Sequence, residues 1–364
     1  MTLLRDIWAN DGNRRGGPCA LPRSEDTPTQ FNVYAFGTRE GTGHLPYDID
    51  HRTPDPTEQT TKGSGPDQMQ IWFRAVRYKS FTASVIPILI ASAFALIDRS
   101  FDFWLFVLMV LASVACHAGA NLANDYFDHV KGIDTAESLG PSKVIQQGLL
   151  TPAEVKRGML VAFAVATLLG LVIVAAVGWP ILVLALLSLA AAFFYTGGPK
   201  PLGYIALGEV TVFVFMGPVM IGGAYYVHVR ELTWQVLVVS VAIGALVANI
   251  LHANNIRDIK LDRRAGKVTL ATLLGRRGAN HEYLVLTVLT YLPVVVLIVA
   301  EPRYWPLFLV AISLPVALTL TRLAYAATGP ADLNGLLRKT AGLHLRFGGL
   351  LTIGLITRAI IDRV

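Results

Sequence analysis

Two short clusters of Asp and Asn side chains lie at the ends of otherwise apolar stretches. The first runs from Asn121 to Asp128, and the second runs from Asn254 to Asp262. In each cluster, carboxylates and amides recur at spacings of three or four residues, which place them on one face of a helix. Oxygen ligands this dense beside hydrocarbon are costly unless they bind something. The chemistry they favour is binding of a hard divalent cation such as Mg²⁺, with a diphosphate on the far side of the cation.

The two stripes predict one cage of oxygen ligands for this cation. Its members would be Asn121, Asp125, Asp128, Asn254, Asp258 and Asp262. Nearby Lys143, Arg257 and Lys267 would neutralise the remaining phosphate charge. A diphosphate that carries an apolar tail would place its headgroup at the rim of a helical bundle and its tail inside.

An allylic tail would allow the diphosphate to leave and generate a delocalised carbocation. Metal and cationic side chains would stabilise the departing group. Aromatic faces would stabilise the cation by roughly 0.5–2 kcal/mol each. The candidate aromatic side chains are Tyr126, Phe127, Tyr195 and Tyr204.

Composition identifies the elements that must hold these clusters. The chain has 364 residues, of which 53% are hydrophobic and only 15% are charged. Such a composition predicts an all-α polytopic membrane protein, with the lipid bilayer as its surroundings. The net charge of +6 forms nothing like a nucleic-acid-binding footprint, and the two cysteines give no disulfide framework.

The chain divides into a polar tail and a membrane domain. Residues 1–69 are rich in Gly, Pro, Thr and Asp, which predicts a disordered cytosolic tail, and residues 70–364 form the domain. Within the domain, nine apolar segments each approach the length of a membrane span. They are Phe81–Ile97, Phe103–Leu122, Met159–Val177, Ile181–Tyr195, Ile205–Val227, Trp234–Ile250, Tyr283–Ala300, Trp305–Ala326 and Leu343–Ile361.

Charge asymmetry between loops orients these spans. Lys and Arg crowd the segment before the first span and the loops after the second and sixth, whereas the alternate loops hold a single Arg or none. The positive-inside rule therefore places the N-terminus and both clusters on the cytoplasmic side of the inner membrane. The clusters follow spans two and six, four crossings apart, so they emerge on the same face and can reach one ligand.

Two other interpretations compete with the diphosphate site. The clusters could be solvated, charged loop edges, which explains one cluster more easily than two of similar design. A cation-coupled transporter is the alternative from another functional class, and it predicts interrupted helices with ionisable groups at mid-membrane. This chain instead carries its acids at helix ends on one face, which favours an interfacial site.

The residue pattern of both clusters resembles the motifs of a known family. Asn121-x-x-Asn124-Asp125-Tyr126-Phe127-Asp128 resembles the first aspartate-rich motif of UbiA-type intramembrane prenyltransferases. Asn254-Asn255-Ile256-Arg257-Asp258, with Asp262 and Gly266-Lys267, resembles the second, in the form of the branch that prenylates 1,4-dihydroxy-2-naphthoate for menaquinone. Gly140-Pro141-Ser142-Lys143 and the segment from Tyr195 to Glu209 agree with that branch. The resemblance covers about residues 72–361.

The resemblance implies nine transmembrane helices around a central cavity, with cytosolic caps that carry the motifs. It implies Mg²⁺-dependent transfer of a polyprenyl group from its diphosphate to an aromatic acid, with decarboxylation, to give demethylmenaquinone. Asp125, Asp128, Asp258 and Asp262 would be catalytic. Substrate would contact Asn121, Asn124, Asn254, Asn255, Arg257, Lys143, Lys267, Tyr195 and Glu209. Other acceptors remain open as alternatives: 4-hydroxybenzoate, homogentisate, a chlorophyllide or haem.

The chain departs from the family pattern at several places. Gly132 stands where many members carry a further Asp, and Asp134 follows two residues later. Ser138 and Lys143 stand where the naphthoate branch often has Arg, and Lys keeps the charge but loses the bidentate fork. Outside the motifs, His117 and His252 are expected to hydrogen-bond within the bundle.

Overall fold

The computed structural model describes residues 67–133 and 142–363. The predicted tail therefore lies almost wholly outside the described residues, as do Gly140, Pro141, Asp134 and Ser138. Within these ranges the structure is helical, and its only β feature is an isolated bridge between Ile205 and Val268. The all-α prediction is confirmed.

Eleven α-helices make up the described part of the chain. They are α1 (Gln68–Ala75), α2 (Thr82–Ile97), α3 (Phe103–Val130), α4 (Pro152–Val177), α5 (Trp179–Phe194), α6 (Gly208–Val214), α7 (Met220–Val229), α8 (Trp234–Arg264), α9 (Leu270–Ala300), α10 (Leu314–Ala326) and α11 (Pro330–Ile361). A π-helical turn, Phe215–Val219, joins α6 to α7, and 3₁₀ turns at Tyr78–Phe81 and Pro302–Ser313 lead into α2 and α10.

The helices account for all nine predicted spans. Eight continuous helical stretches among the described residues are long and apolar enough to cross a membrane. The remaining segment is α5, an apolar helix of 16 residues, somewhat shorter than the roughly 20 residues of a usual span. The predicted break between the third and fourth segments is real: Gly178 separates α4 from α5 with φ of 111°, a conformation that favours glycine.

Two predicted spans end too early in the sequence. We expected ends at Leu122 and Ile250, but α3 continues to Val130 and α8 to Arg264. The apolar pattern stops where the acids begin, whereas the backbone hydrogen-bond ladder does not need apolar side chains to continue. Both clusters therefore lie on helices, in the final turns of α3 and α8.

Close helix crossings hold the bundle together. The interior of α2 is almost fully buried and packs against α7 and α11, where a Cβ on Gly348 would clash with Ile86 Cγ2. Gly217 of the π-helical turn lies against Gly244 of α8 so closely that an added Cβ would meet its Cα at 2.7 Å. Membrane helices associate through such small residues because lipid supplies no hydrophobic drive between them.

Two loops meet over the ends of α3 and α8. Ala206 donates to the Val268 carbonyl at 2.8 Å, and Val268 donates to the Tyr204 carbonyl at 3.1 Å. This pairing ties the loop after α5 to the loop after α8. It thereby brings the side chains of Tyr204 and Lys267 to the ends of both cluster helices.

Candidate active site

A single large cavity receives both clusters. Its volume is about 1110 Å³, and most of its wall is apolar and comes from α3, α4, α5 and α7. Its polar wall includes the cluster and loop residues Asn121, Asn124, Asp128, Asn254, Asn255, Arg257, Asp258, Asp262, Lys267 and Tyr195. Residues 121–128 and 254–262 are far apart in the chain, yet both clusters line this one cavity.

Arg77 organises the first cluster. Its guanidinium donates to Asn124 Oδ1 at 2.8 Å and to Asp125 Oδ1 at 2.5 Å. The Asn124 amide in turn donates to Asp128 Oδ2 at 3.0 Å, and the Asn121 amide donates to the Val76 carbonyl at 2.9 Å. The cluster is thus an ordered network, with the segment after α1 closing over the end of α3.

The backbone of Arg77 is itself unusual. Its φ of 55° lies in the left-handed region, which is costly for a side chain with a Cβ. Sequence reasoning used this arginine only as one of the positive charges before the first span. Its sequence signal, a cation shortly before a span that ends in acids, does not name its partner.

Asp128 receives a second donor from the loop after α5. The Tyr204 hydroxyl donates to Asp128 Oδ1. Two ammonium groups lie near the Tyr204 ring, with Lys131 Nζ 4.9 Å and Lys267 Nζ 5.3 Å from its centroid. Lys131 also donates to the Thr196 carbonyl at 2.7 Å. Partial burial lowers the pKa of Lys131, and the nearby Asp128 carboxylate opposes that shift.

Arg257 organises the second cluster in the same way. Its guanidinium makes a bidentate pair with Asp258, with nitrogen–oxygen distances of 2.7 and 2.6 Å. It also donates to Asn254 Oδ1 at 2.8 Å and to Asn334 Oδ1 of α11 at 3.1 Å. Asn334 was not singled out from the sequence, because only the fold brings α11 to this place.

Two aspartates of the clusters keep an oxygen without a partner. Asp125 Oδ2 and Asp262 Oδ2 are buried and accept no hydrogen bond. Lys267 Nζ lies 3.7 Å from the other oxygen of Asp262. A buried carboxylate oxygen left unpaired is costly, so these atoms indicate a place for a cationic ligand.

Tyr195 forms part of the wall between the clusters. Burial raises the pKa of its phenol, and the carboxylates of Glu209, Asp128 and Asp262 act in the same direction. The phenol therefore remains protonated and can donate a hydrogen bond.

The predicted turn after Tyr195 is present: residues 195–200 form turns and bends, with Gly198 at φ of 77°.

Three predicted site residues do not line the cavity. Asp125 is paired with the guanidinium of Arg77, and Lys143 lies just before the turn at residues 144–148, with φ of 51°. Glu209 is buried, accepts a hydrogen bond from the Asn255 amide at 2.8 Å, and has its Oε1 3.3 Å from His252 Nδ1. The lining also lacks the candidate aromatics Tyr126, Phe127 and Tyr204, and it includes Tyr78 instead.

Both histidines hydrogen-bond inside the bundle, as expected. His117 lies 3.0 Å from Ser80 Oγ and 2.7 Å from Ser84 Oγ. His252 Nε2 lies 2.7 Å from the Ala279 carbonyl oxygen. Three further cations of the cavity wall were predicted only as charges that orient the spans: Arg74, Lys79 and Arg338.

Comparison with known proteins identifies relatives of the whole membrane domain. Residues 84–337 match the model of the UbiA prenyltransferase family. The chain is 31% identical over 304 residues to a 1,4-dihydroxy-2-naphthoate octaprenyltransferase of Bacillus subtilis, a match that covers 82% of this chain and 98% of that protein.

Solved structures of two archaeal proteins share the fold. A UbiA homolog from Aeropyrum pernix superimposes with a TM-score of 0.58 at 18% identity, over 79% of this chain and 99% of that one. A UbiA homolog from Archaeoglobus fulgidus bound to DMAPP and Mg²⁺ gives 0.55 at 12% identity, over the same shares. With two acid clusters at the mouth of one apolar cavity in an all-helical membrane domain, the chain belongs to the UbiA prenyltransferase family.

Proposed function

We propose that this protein transfers a polyprenyl group from its diphosphate to 1,4-dihydroxy-2-naphthoate, in a reaction that depends on Mg²⁺. The observation that carries the proposal is the cavity, which joins two Asp- and Asn-rich helix ends to a long apolar interior. Such a shape fits a molecule with an anionic head and a hydrocarbon tail. We infer the acceptor from the name of the Bacillus subtilis relative, and the residue pattern of the second cluster agrees with it.

The donor set fits Mg²⁺. The cluster side chains offer carboxylate and amide oxygens, which a hard cation prefers, and the unpartnered oxygens of Asp125 and Asp262 provide free ligand atoms. Asp128 and Asp258 would complete the set once they exchange their present donors for the cation. Magnesium, when bound, would neutralise charge on the departing diphosphate.

The basic residues of the site would hold the diphosphate. Three cations each lie within 4 Å of a cluster carboxylate: Arg77, Arg257 and Lys267. A phosphate oxygen would replace or share that carboxylate as the partner of the cation. Guanidinium groups bind phosphate oxygens in a bidentate manner. These cations would stabilise the leaving group as its carbon–oxygen bond breaks.

The remaining wall would receive the acceptor. Tyr195, which lines the cavity, would donate a hydrogen bond to an acceptor oxygen. A role for Lys143 would require the segment after residue 142 to approach the bound acceptor. In the transfer, the bond electrons leave with the diphosphate, and the prenyl carbon bonds to the ring carbon that releases its carboxylate as carbon dioxide. Glu209 would support this wall through Asn255, whose amide it binds.

The membrane arrangement follows the distribution of charge. The described part of the chain is a multi-pass helical protein. We place the cluster end of the bundle at the cytoplasmic face of the inner membrane, because the basic loops lie at that end. The substrates would then meet at the interface, with the prenyl tail inside the bundle.

A reconstitution assay tests this function. Purified protein in detergent receives Mg²⁺, a polyprenyl diphosphate and 1,4-dihydroxy-2-naphthoate, and mass spectrometry detects the prenylated, decarboxylated product. We expect Asp258→Asn and Asp125→Asn to abolish the product, whereas Asp332→Asn, an exposed carboxylate of α11, should leave it unchanged.

The same assay separates the alternatives. Product with 4-hydroxybenzoate or homogentisate and none with the naphthoate would reassign the acceptor. Absence of transfer to any acceptor, in protein that still unfolds cooperatively, would reject the enzyme function. Family membership already favours an enzyme over the cation-coupled transporter.

A further inference from the structure

A second group of ionisable side chains lies outside the cavity wall. It comprises Glu209 at the start of α6, His252 of α8 and Glu282 of α9. One ligand atom from each residue lies within 4.8 Å of the others. Glu209 and His252 are buried, and Glu282 is partly buried. The group therefore joins three different helices inside the bundle, where unpaired charge is costly.

The imidazole of His252 has a defined orientation in this group. Its Nε2 lies 2.7 Å from the Ala279 carbonyl oxygen and must donate a proton there. Its Nδ1 faces both carboxylates, at 3.3 Å from Glu209 Oε1 and 3.5 Å from Glu282 Oε2. A histidine that donates one ring nitrogen to a backbone carbonyl and directs the other toward carboxylates has the arrangement found at metal sites.

Two carboxylate oxygens of the group accept no hydrogen bond. Glu282 Oε2, which faces Nδ1, is buried and accepts no hydrogen bond. Glu209 Oε2 is likewise buried and unpartnered, in a residue that is only 3% exposed. Glu282 Oε2 has only the 3.5 Å approach of His252 Nδ1, and Glu209 Oε2 has no hydrogen-bond donor. Buried carboxylate oxygens are otherwise hydrogen-bonded, so both atoms indicate an absent cationic ligand.

The distances fit a metal ion better than a shared proton. A hydrogen bond between a charged imidazole and a carboxylate is about 2.7–2.9 Å long, and one proton on Nδ1 can serve only one oxygen. A zinc ion bonds nitrogen and oxygen ligands at about 2.0–2.2 Å, which in a tetrahedron sets the ligand atoms about 3.3–3.6 Å apart. Both observed separations from Nδ1 fall at that spacing.

We propose that Glu209, His252 and Glu282 form a zinc site that clamps α6, α8 and α9 together. Two carboxylates balance the charge of a divalent ion, and an imidazole nitrogen favours zinc over the hard cation expected at the acid clusters. The second oxygen of Glu209 is available to complete the coordination. The Asn255 amide, which donates to Glu209 at 2.8 Å, connects this clamp to the second cluster.

Metal analysis tests the site without any need for prenyl transfer. The full-length protein is incubated with Zn²⁺, freed of excess metal by gel filtration, and measured by inductively coupled plasma mass spectrometry. We expect one zinc per chain in the parent protein and none in Glu282→Gln or His252→Asn. Glu231→Gln, an exposed carboxylate, and Asp258→Asn of the cavity should retain the zinc.

Cobalt substitution provides a readout of geometry. Co²⁺ in place of zinc should give the intense visible absorption of a tetrahedral site in the parent protein and lose it in Glu282→Gln. Zinc that stays bound in both ligand variants, or a parent protein that holds none, would overturn the proposal. If the variants fail to fold, a weak octahedral cobalt spectrum in the parent protein would overturn it equally.

Discussion

At the scale of single residues, the site is a set of acids already held by basic and hydroxyl donors. Arg77 binds Asp125, Arg257 binds Asp258 and Tyr204 binds Asp128. Each donor orients a carboxylate in a wall that borders hydrocarbon. Binding of the diphosphate and the metal ion would exchange some of these donors for ligand atoms.

Tyr204→Phe tests the role of one such donor. The change removes the hydrogen bond to Asp128 but keeps the ring beside Lys131 and Lys267. Hydrogen bonds to charged groups contribute about 1.5–3 kcal/mol, so we expect kcat/KM for the prenyl diphosphate to fall about 10- to 100-fold. Steady-state kinetics at several Mg²⁺ concentrations measure the effect.

The matched control is Tyr126→Phe, whose ring packs against Phe127 on the same helix. It should change kcat/KM little. Equal losses in both variants would show that the Tyr204 hydroxyl has no special role at Asp128.

At the scale of elements, the site depends on where α8 lies relative to α6 and the π-helical turn that follows it. The turn contains Pro218 and packs Gly217 against α8. A Cβ on Gly217 would lie 2.5 Å from the Ser240 carbonyl oxygen, and backbone atoms cannot move aside as a flexible side chain can. The crossing therefore sets the depth of α8 and of the second cluster at its end.

Gly217→Ala should separate these two elements. Overpacking costs about 1–3 kcal/mol, and we expect a fall in the unfolding temperature together with a lower kcat/KM. Gly349→Ala is the control, because a Cβ there meets nothing within 4 Å. Differential scanning fluorimetry in detergent measures both. An unfolding temperature that Gly217→Ala leaves unchanged would mean that the helices do not cross this closely.

At the scale of the whole molecule, polar and charged side chains from several helices and loops meet at one end of the bundle. α3 and α8 contribute the acids, the segment after α1 contributes Arg77, and α11 contributes Asn334. The loops after α5 and α8 pair through their backbones and place Tyr204 beside Lys267. A ligand that bridges these parts should stabilise the entire fold.

A thermal shift experiment tests this bridging. A ligand at 100 times its Kd stabilises the folded state by about 2.7 kcal/mol. We therefore expect geranyl diphosphate with Mg²⁺ to raise the unfolding temperature by several degrees in the parent protein and not in Asp258→Asn. A shift of the same size without any divalent cation would contradict the metal-dependent site.

The sequence alone determined the class of the protein and the identity of its acid clusters. Apolar segments of span length and oxygen ligands at helical spacing are local properties, so they can be recognised without a structure. The helix bounds around the clusters were less accessible, because hydropathy ends at Leu122 and Ile250 while the helices continue to Val130 and Arg264.

Only the tertiary structure decided which groups meet the acids. Arg77, Tyr204 and Asn334 are far from their partners in sequence, and no local sequence pattern predicts a contact that helix packing creates. Glu209 was expected at the substrate, yet it lies behind the wall with His252, since the crossing of α6 and α8 turns it there. Residue spacing encodes the face of a helix, whereas the partner of that face depends on how the helices pack.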